Sequence, residues 1–147
     1  MPAGSDVTVG RKAVRKAIAA GLAANMPTAQ VVYDYQKSDF DQQSPVVRVF
    51  SAGSNRPSMT ARGNRSRFTF SIELWVLYAN SGSWNEADAE DALDDLEQEL
   101  VQWVSDNQVG DLWTALKFER PSLLGNVIVG GAPYLVEDIT LVAEVYG

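Results

Sequence analysis

The chain has 147 residues, enough for one domain with a real core, and its 46% hydrophobic content argues against general disorder. It contains neither cysteine nor histidine, which excludes disulfides, thiolate nucleophiles, Cys/His zinc sites and the commonest general base. A net charge of −7 disfavours broad adhesion to nucleic acid or anionic membrane, although basic residues cluster locally at Arg11, Lys12, Arg15 and Lys16 and again between Arg48 and Arg67.

The opening MPAGSDVTVG lacks a basic segment followed by an apolar one. No apolar run reaches the roughly 18 residues that a membrane span needs. The expectation is a soluble protein made in a cytoplasm, folded as a single domain over residues 1–147 and not associated with membrane.

From about Thr8 to Asn25 the spacing predicts a helix with Val14, Ala17, Ile18, Gly21 and Leu22 on one stripe and the basic side chains on the other, ended by Pro27. The β-branched and aromatic runs VVYDY (Val31–Tyr35) and VVRVF (Val46–Phe50) predict two strands, able to pair antiparallel. Ser51 to Ser66, SAGSNRPSMTARGNRS, has no apolar periodicity and reads as a long Arg/Gly/Ser-rich loop. Then RFTFSIELWVLY alternates cleanly until Trp75 and Leu77 make both faces apolar, which predicts a strand whose second half is central in a sheet.

Ser83 with Glu86 three residues later has the form of a capping box, which predicts a helix start near Trp84. Leu93, Leu96, Leu100 and Trp103 give that helix one apolar stripe running to about Asp106. ALKFER predicts a strand stopped by Pro121, and NVIVGGAPYLVEDITLVAEVY predicts a short strand, a Gly130-Gly131 turn and a long last strand with Leu135, Ile139, Leu141, Ala143 and Val145 toward the core. The fold class is therefore α+β, a mostly antiparallel sheet covered by two main helices.

The acidic helix EADAEDALDDLEQEL carries eight carboxylates (Glu86, Asp88, Glu90, Asp91, Asp94, Asp95, Glu97 and Glu99) and no Lys or Arg. A calcium loop starting at Asp88 fails, because its fifth and sixth positions are Ala92 and Leu93 where an oxygen ligand and a glycine are needed. A glycosidase pair needs two carboxylates facing each other across a cleft, one with a raised pKa, and neighbours on one exposed helix face do not provide that. Like charges four apart cost roughly 0.2–0.5 kcal/mol each, while a fully buried Leu contributes roughly 1.5–3 kcal/mol. The fold tolerates this charge without needing it, so the face is either a solvated surface or a charged assembly surface.

Arg56, Arg62, Arg65 and Arg67 in the central segment admit three readings: a nucleic-acid clamp, a plain surface loop, or a segment that orders on a partner protein. No aromatic residue is interleaved with them to stack bases. The basic residues of the first helix read as its solvated side, and Trp75, Trp84, Trp103 and Trp113 as core or interface anchors. The pair Gly130-Gly131 belongs to neither a GxGxxG nor a GxxxxGK[ST] pattern, so it is a turn and not a phosphate loop.

The helix VRKAIAAGLAANM, the paired strands, the arginine-rich segment, the long FTFSIELWVLY strand, the acidic helix and the final YLVEDITLVAEVYG together resemble the tail terminator (tail completion) proteins of long-tailed bacteriophages. The resemblance covers nearly the whole chain and rests on length, element order and sequence character, with no diagnostic motif. It implies a structural virion protein, not an enzyme, with no catalytic residues, metal or cofactor. Such a protein forms a homo-hexameric ring on the tail tube, ends polymerisation of the tube and offers the head-joining surface. The implied partners are further copies of the chain, the tail tube protein and a head connector or neck protein. DNA would pass through the ring lumen without sequence-specific binding, and the location would be the head-proximal end of the virion tail.

A neck or head-closure adaptor, another minor tail protein and, further off, a carboxylate/metal-dependent enzyme are the alternatives. A ring needs one surface of each subunit to meet a different surface of the next. Glu90, Asp91, Asp94 and Asp95 are accordingly candidates for a subunit or tube contact, with Arg62, Arg65 and Arg67 as candidate partners.

Overall fold

A computed structural model of the chain describes residues 9–60, 63–78 and 85–146, with side chains for all of these except 57–60, 63 and 64. Helix α1 (Arg11–Asn25) is followed by strands β1 (Val31–Tyr33), β2 (Val46–Thr60) and β3 (Gly63–Leu77). Helix α2 (Glu86–Asp106), β4 (Ala115–Phe118), β5 (Leu123–Val129) and β6 (Ala132–Tyr146) complete the chain. The strands form one sheet in the order β1-β2-β3-β6-β4, and β5 pairs with β6 beyond the stretch used by β4. Every pairing is antiparallel except β1 with β2.

Both helices lie on one face of the sheet. Val14, Ile18 and Leu22 of α1 and Leu93, Leu96, Leu100 and Trp103 of α2 are buried there against Phe68, Phe70, Ile72 and Leu74 of β3 and Leu135, Ile139, Leu141 and Ala143 of β6. The two helices touch through a notch: a Cβ added at Gly21 would come within 2.3 Å of the Trp103 ring. Trp103 in turn meets Trp113 edge to face at 6.2 Å.

The opposite face carries a second, smaller core in which Phe40, Val46, Trp75, Leu77, Tyr134 and Val136 are buried. Phe40 comes from the loop between β1 and β2 and meets Trp75 at 5.0 Å and Tyr134 at 5.6 Å between ring centroids. This explains why the alternation in β3 breaks down at Trp75 and Leu77: that end of the strand is covered on both faces. Gly130 and Gly131 both have positive φ, as the two-residue turn between β5 and β6 requires.

Five expectations from the sequence are corrected. Ser51–Ser66 is not a loop over its described residues, since it forms the distal arms of the β2/β3 hairpin. Register shifts between Ser51 and Gly53 and between Asn55 and Ser58 leave Ala52, Arg56 and Pro57 out of the regular ladder, an interruption that suits Pro57, which has no N–H to donate. The β1/β2 pair is parallel, because residues 34–45 cross the second face and bring the chain back in the same direction. β1 itself stops at Tyr33, and β4 at Phe118. Finally, α2 starts at Glu86 with Asn85 as its N-cap, and Ser83 and Trp84 lie outside the described residues.

Candidate assembly surface

The start of α2 is fixed by a reciprocal pair: the Asn85 side chain accepts from the Asp88 N–H at 3.1 Å, and the Asp88 carboxylate accepts from the Asn85 N–H at 2.9 Å. With the Leu/Trp stripe turned to the sheet, the carboxylates divide between two flanks. Asp91 and Asp95 line a shallow depression with Thr28 and Pro45 on the side of α1. Glu99 follows on that side and accepts from the Thr28 hydroxyl at 2.5 Å and its N–H at 3.2 Å. Glu90, Asp94 and Glu97 occupy the other flank, above β6.

The second flank lies near a buried carboxyl. Glu137 of β6 is 7% exposed on the helix-covered face, and its pKa is raised first by burial and further by the nearby Glu97 and Asp94 carboxylates. A hydrogen bond from the Ser122 hydroxyl, at 2.5 Å, opposes the shift. Among the described residues no three carboxylates converge as metal ligands would.

The candidate arginine partners lie elsewhere. Arg65 and Arg67 extend from β3 on the face without helices, where Arg65 approaches Glu144 at 3.6 Å and Arg67 pairs with Glu119 at 2.6 Å. Within one subunit they do not meet Glu90, Asp91, Asp94 or Asp95. Arg62 lies outside the described residues. Arg56 turns to the helix-covered face, donating to Ser66 at 2.9 Å with its guanidinium 5.2 Å from the Phe68 centroid.

The basic side of α1 borders a different feature. Lys16 donates to Asp34 at 2.8 Å and holds that carboxyl below its ordinary pKa. The same two residues help to line a groove of about 380 Å³ along the β1 edge, floored by Ala19, Ala20 and Ala23 of α1 and by Val31 to Tyr33.

At the other edge β5 is exposed on both faces: Leu123 is 68% exposed, Leu124 62%, Val127 42% and Ile128 74%. Sequence reading missed its significance. LLGNVIV is apolar apart from Asn126, and nothing local distinguishes a strand buried on both faces from one left open at an edge.

No family model and no curated protein matches the chain. Solved structures do. The chain aligns over 96% of its length with the sheath/tube terminator of an extracellular contractile injection system in its extended state, at 13% identity and a TM-score of 0.55. It spans 58% of that chain. It also aligns end to end, over 100% of each chain, with a component of a native gene transfer agent virion, at 14% identity and a TM-score of 0.50. Two helices laid over one face of a mostly antiparallel sheet are thus a fold that this chain shares with a sheath/tube terminator and with a virion protein.

Proposed function

We propose that the chain is a structural component of a phage-type tail. It forms a ring, hexameric by resemblance to tail terminators, that caps the tube, ends its polymerisation and presents the head-joining surface. The observation that carries this reading is the alignment of nearly the whole chain with a sheath/tube terminator. The partners are copies of the chain, the tube subunit and a head connector or neck protein; DNA passes through the lumen, and the role is mechanical, not catalytic. The acidic flanks of α2 (Glu90, Asp91, Asp94, Asp95) serve subunit or tube contacts. The arginine-rich segment of the sequence, with Arg62, Arg65 and Arg67, serves another.

The gene transfer agent match concerns a particle component without a stated role in the tail, which keeps a neck adaptor as the second reading. Electron microscopy of particles made without this chain separates the two. A terminator's loss gives tubes of uncontrolled length without heads. A neck adaptor's loss gives tubes of normal length that are capped but unjoined. Normal, joined particles would refute both.

A further inference from the structure

We propose that the two edges of the sheet join copies of this chain head to tail: β5 of one subunit pairs with β1 of the next, and Leu124 and Ile128 seat in the alanine-floored groove beside α1. The contact deepens the ring reading and rests on it only for closure.

β5 is an edge strand without a charged residue or a proline, and natural sheets rarely leave such an edge open. Its neighbour β4, on the same side of β6, is guarded by Lys117, which reaches Glu144 at 3.4 Å. β5 has no such guard, and its exposed alkyl groups form two rows. Leu124 and Ile128 stand on the helix-covered face, opposite Glu137 and Pro133 in register, while Leu123 and Val127 stand on the other.

β1 is the other end of the same sheet, paired among the described residues with β2 on one side only. Val32 shares the helix-covered face with Val47, and the groove above it is floored by small side chains, room that a row of larger alkyl groups would fill. Leu124 and Ile128 are about 13 Å apart along a strand. Lys16 to Ala23 spans about 10 Å of helix. The run of pairings leaves β5 antiparallel to β1, so a second subunit in the same orientation extends the sheet with an antiparallel pair.

Charge favours a second copy over a foreign strand. Both helices lie on one face, so joining the edges brings the acidic flank of α2 (Glu90, Asp94, Glu97) toward the basic flank of α1 (Lys12, Lys16) of the neighbour. A contact between two different surfaces of one chain is the kind that closes rings, and complementary flanks fix its orientation.

The absence of cysteine makes disulfide trapping clean. Under mild oxidation at the highest soluble concentration, the double variant Ala20→Cys/Ile128→Cys should give a ladder of covalent multimers, whereas an equimolar mixture of the two single variants stops at dimer. A double variant that gives no more multimer than the mixture overturns the contact. Ile128→Lys, at a position exposed in the monomer, should leave the circular dichroism unchanged and weaken self-association about tenfold or more. Rings that form unaltered by Ile128→Lys overturn the edge contact and leave the ring reading standing. A ladder that ends in open filaments keeps the contact and removes the ring.

Discussion

Arg48 and Glu73 stand directly opposite each other on β2 and β3 and form an ion pair whose side chains are only 11% and 14% exposed. The guanidinium also donates to the Lys37 carbonyl at 2.5 Å and lies 4.9 Å from the Trp75 ring centroid. The pair therefore ties the β1–β2 loop to the second core. Removing one partner leaves the other charge buried and alone, so Arg48→Ala or Glu73→Ala should cost about 3 kcal/mol in chemical denaturation. The double variant Arg48→Met/Glu73→Leu should recover only part of that loss, since the Lys37 carbonyl and the Trp75 indole N–H, 3.1 Å from Glu73, also lose their partners. Arg48→Lys should not recover it, because a lysine cannot serve the carboxylate, the carbonyl and the ring together.

Glu137 gives the acid range an unusual sign. Its folded pKa is raised above the ordinary 4.5, so between that value and the folded one the native state holds more protons than the unfolded chain. Stability from this group therefore falls as pH rises through that window. Glu137→Gln, which removes the charge and can still accept from Ser122, should raise the melting temperature at neutral pH and flatten this part of the profile. Asp34 acts oppositely: its folded pKa is lowered by Lys16, so its contribution is present above the ordinary 3.8 and is lost as pH falls below it. Asp34→Asn should remove that low-pH loss. Melting curves at stepped pH check both signs.

Capping of α2 assigns a distinct cost to one side chain. Asn85→Ala removes the acceptor for the Asp88 N–H and should destabilise by about 1 kcal/mol, read as a shift in denaturation midpoint at unchanged slope.

At Gly21, helix propensity and packing pull in opposite directions. Replacing an interior helical glycine by alanine ordinarily gains up to about 1 kcal/mol. Here the new methyl would meet the Trp103 ring at 2.3 Å, so Gly21→Ala should destabilise by about 1–3 kcal/mol despite the propensity gain. Tryptophan fluorescence of the variant should report a disturbed Trp103–Trp113 pair.

The helices and the long strands were legible because their burial is periodic: Leu93, Leu96 and Leu100 mark a helix, and Phe68, Phe70 and Ile72 a strand. The hairpin arms were not, since Gly, Ser, Asn and Arg have no alternation of their own. Their extended state is imposed by pairing across β2 and β3 and, up to Arg65, with β6. The parallel β1 was hidden for a similar reason: its direction depends on Phe40 seating against Trp75, far along the chain. The capping pattern occurs twice in SGSWNEAD, at Ser83/Glu86 and at Asn85/Asp88, and spacing alone does not choose between them.

For the candidate site, the sequence showed an acidic helix face but not its division. Which flank a carboxylate joins depends on whether Thr28 or Glu137 lies beneath it. Arg65 and Arg67 read as candidate partners of the acidic helix face because the carboxylates they meet within the subunit, Glu144 and Glu119, are remote in sequence.

β3 is paired on one side with β2, from Gly63 to Trp75, and on the other with β6, from Arg65 to Leu77. From Arg65 to Trp75 its amides are shielded by two neighbours and, around Trp75, by two cores, so deuterium should enter them only when the whole domain opens. Their uptake rate is a clock for global unfolding built into the chain. The outward amides of β5, with a strand on one side only, exchange without that opening. The ratio between the two rates therefore reads how firmly the free edge is held, residue by residue, in any assembly the protein enters.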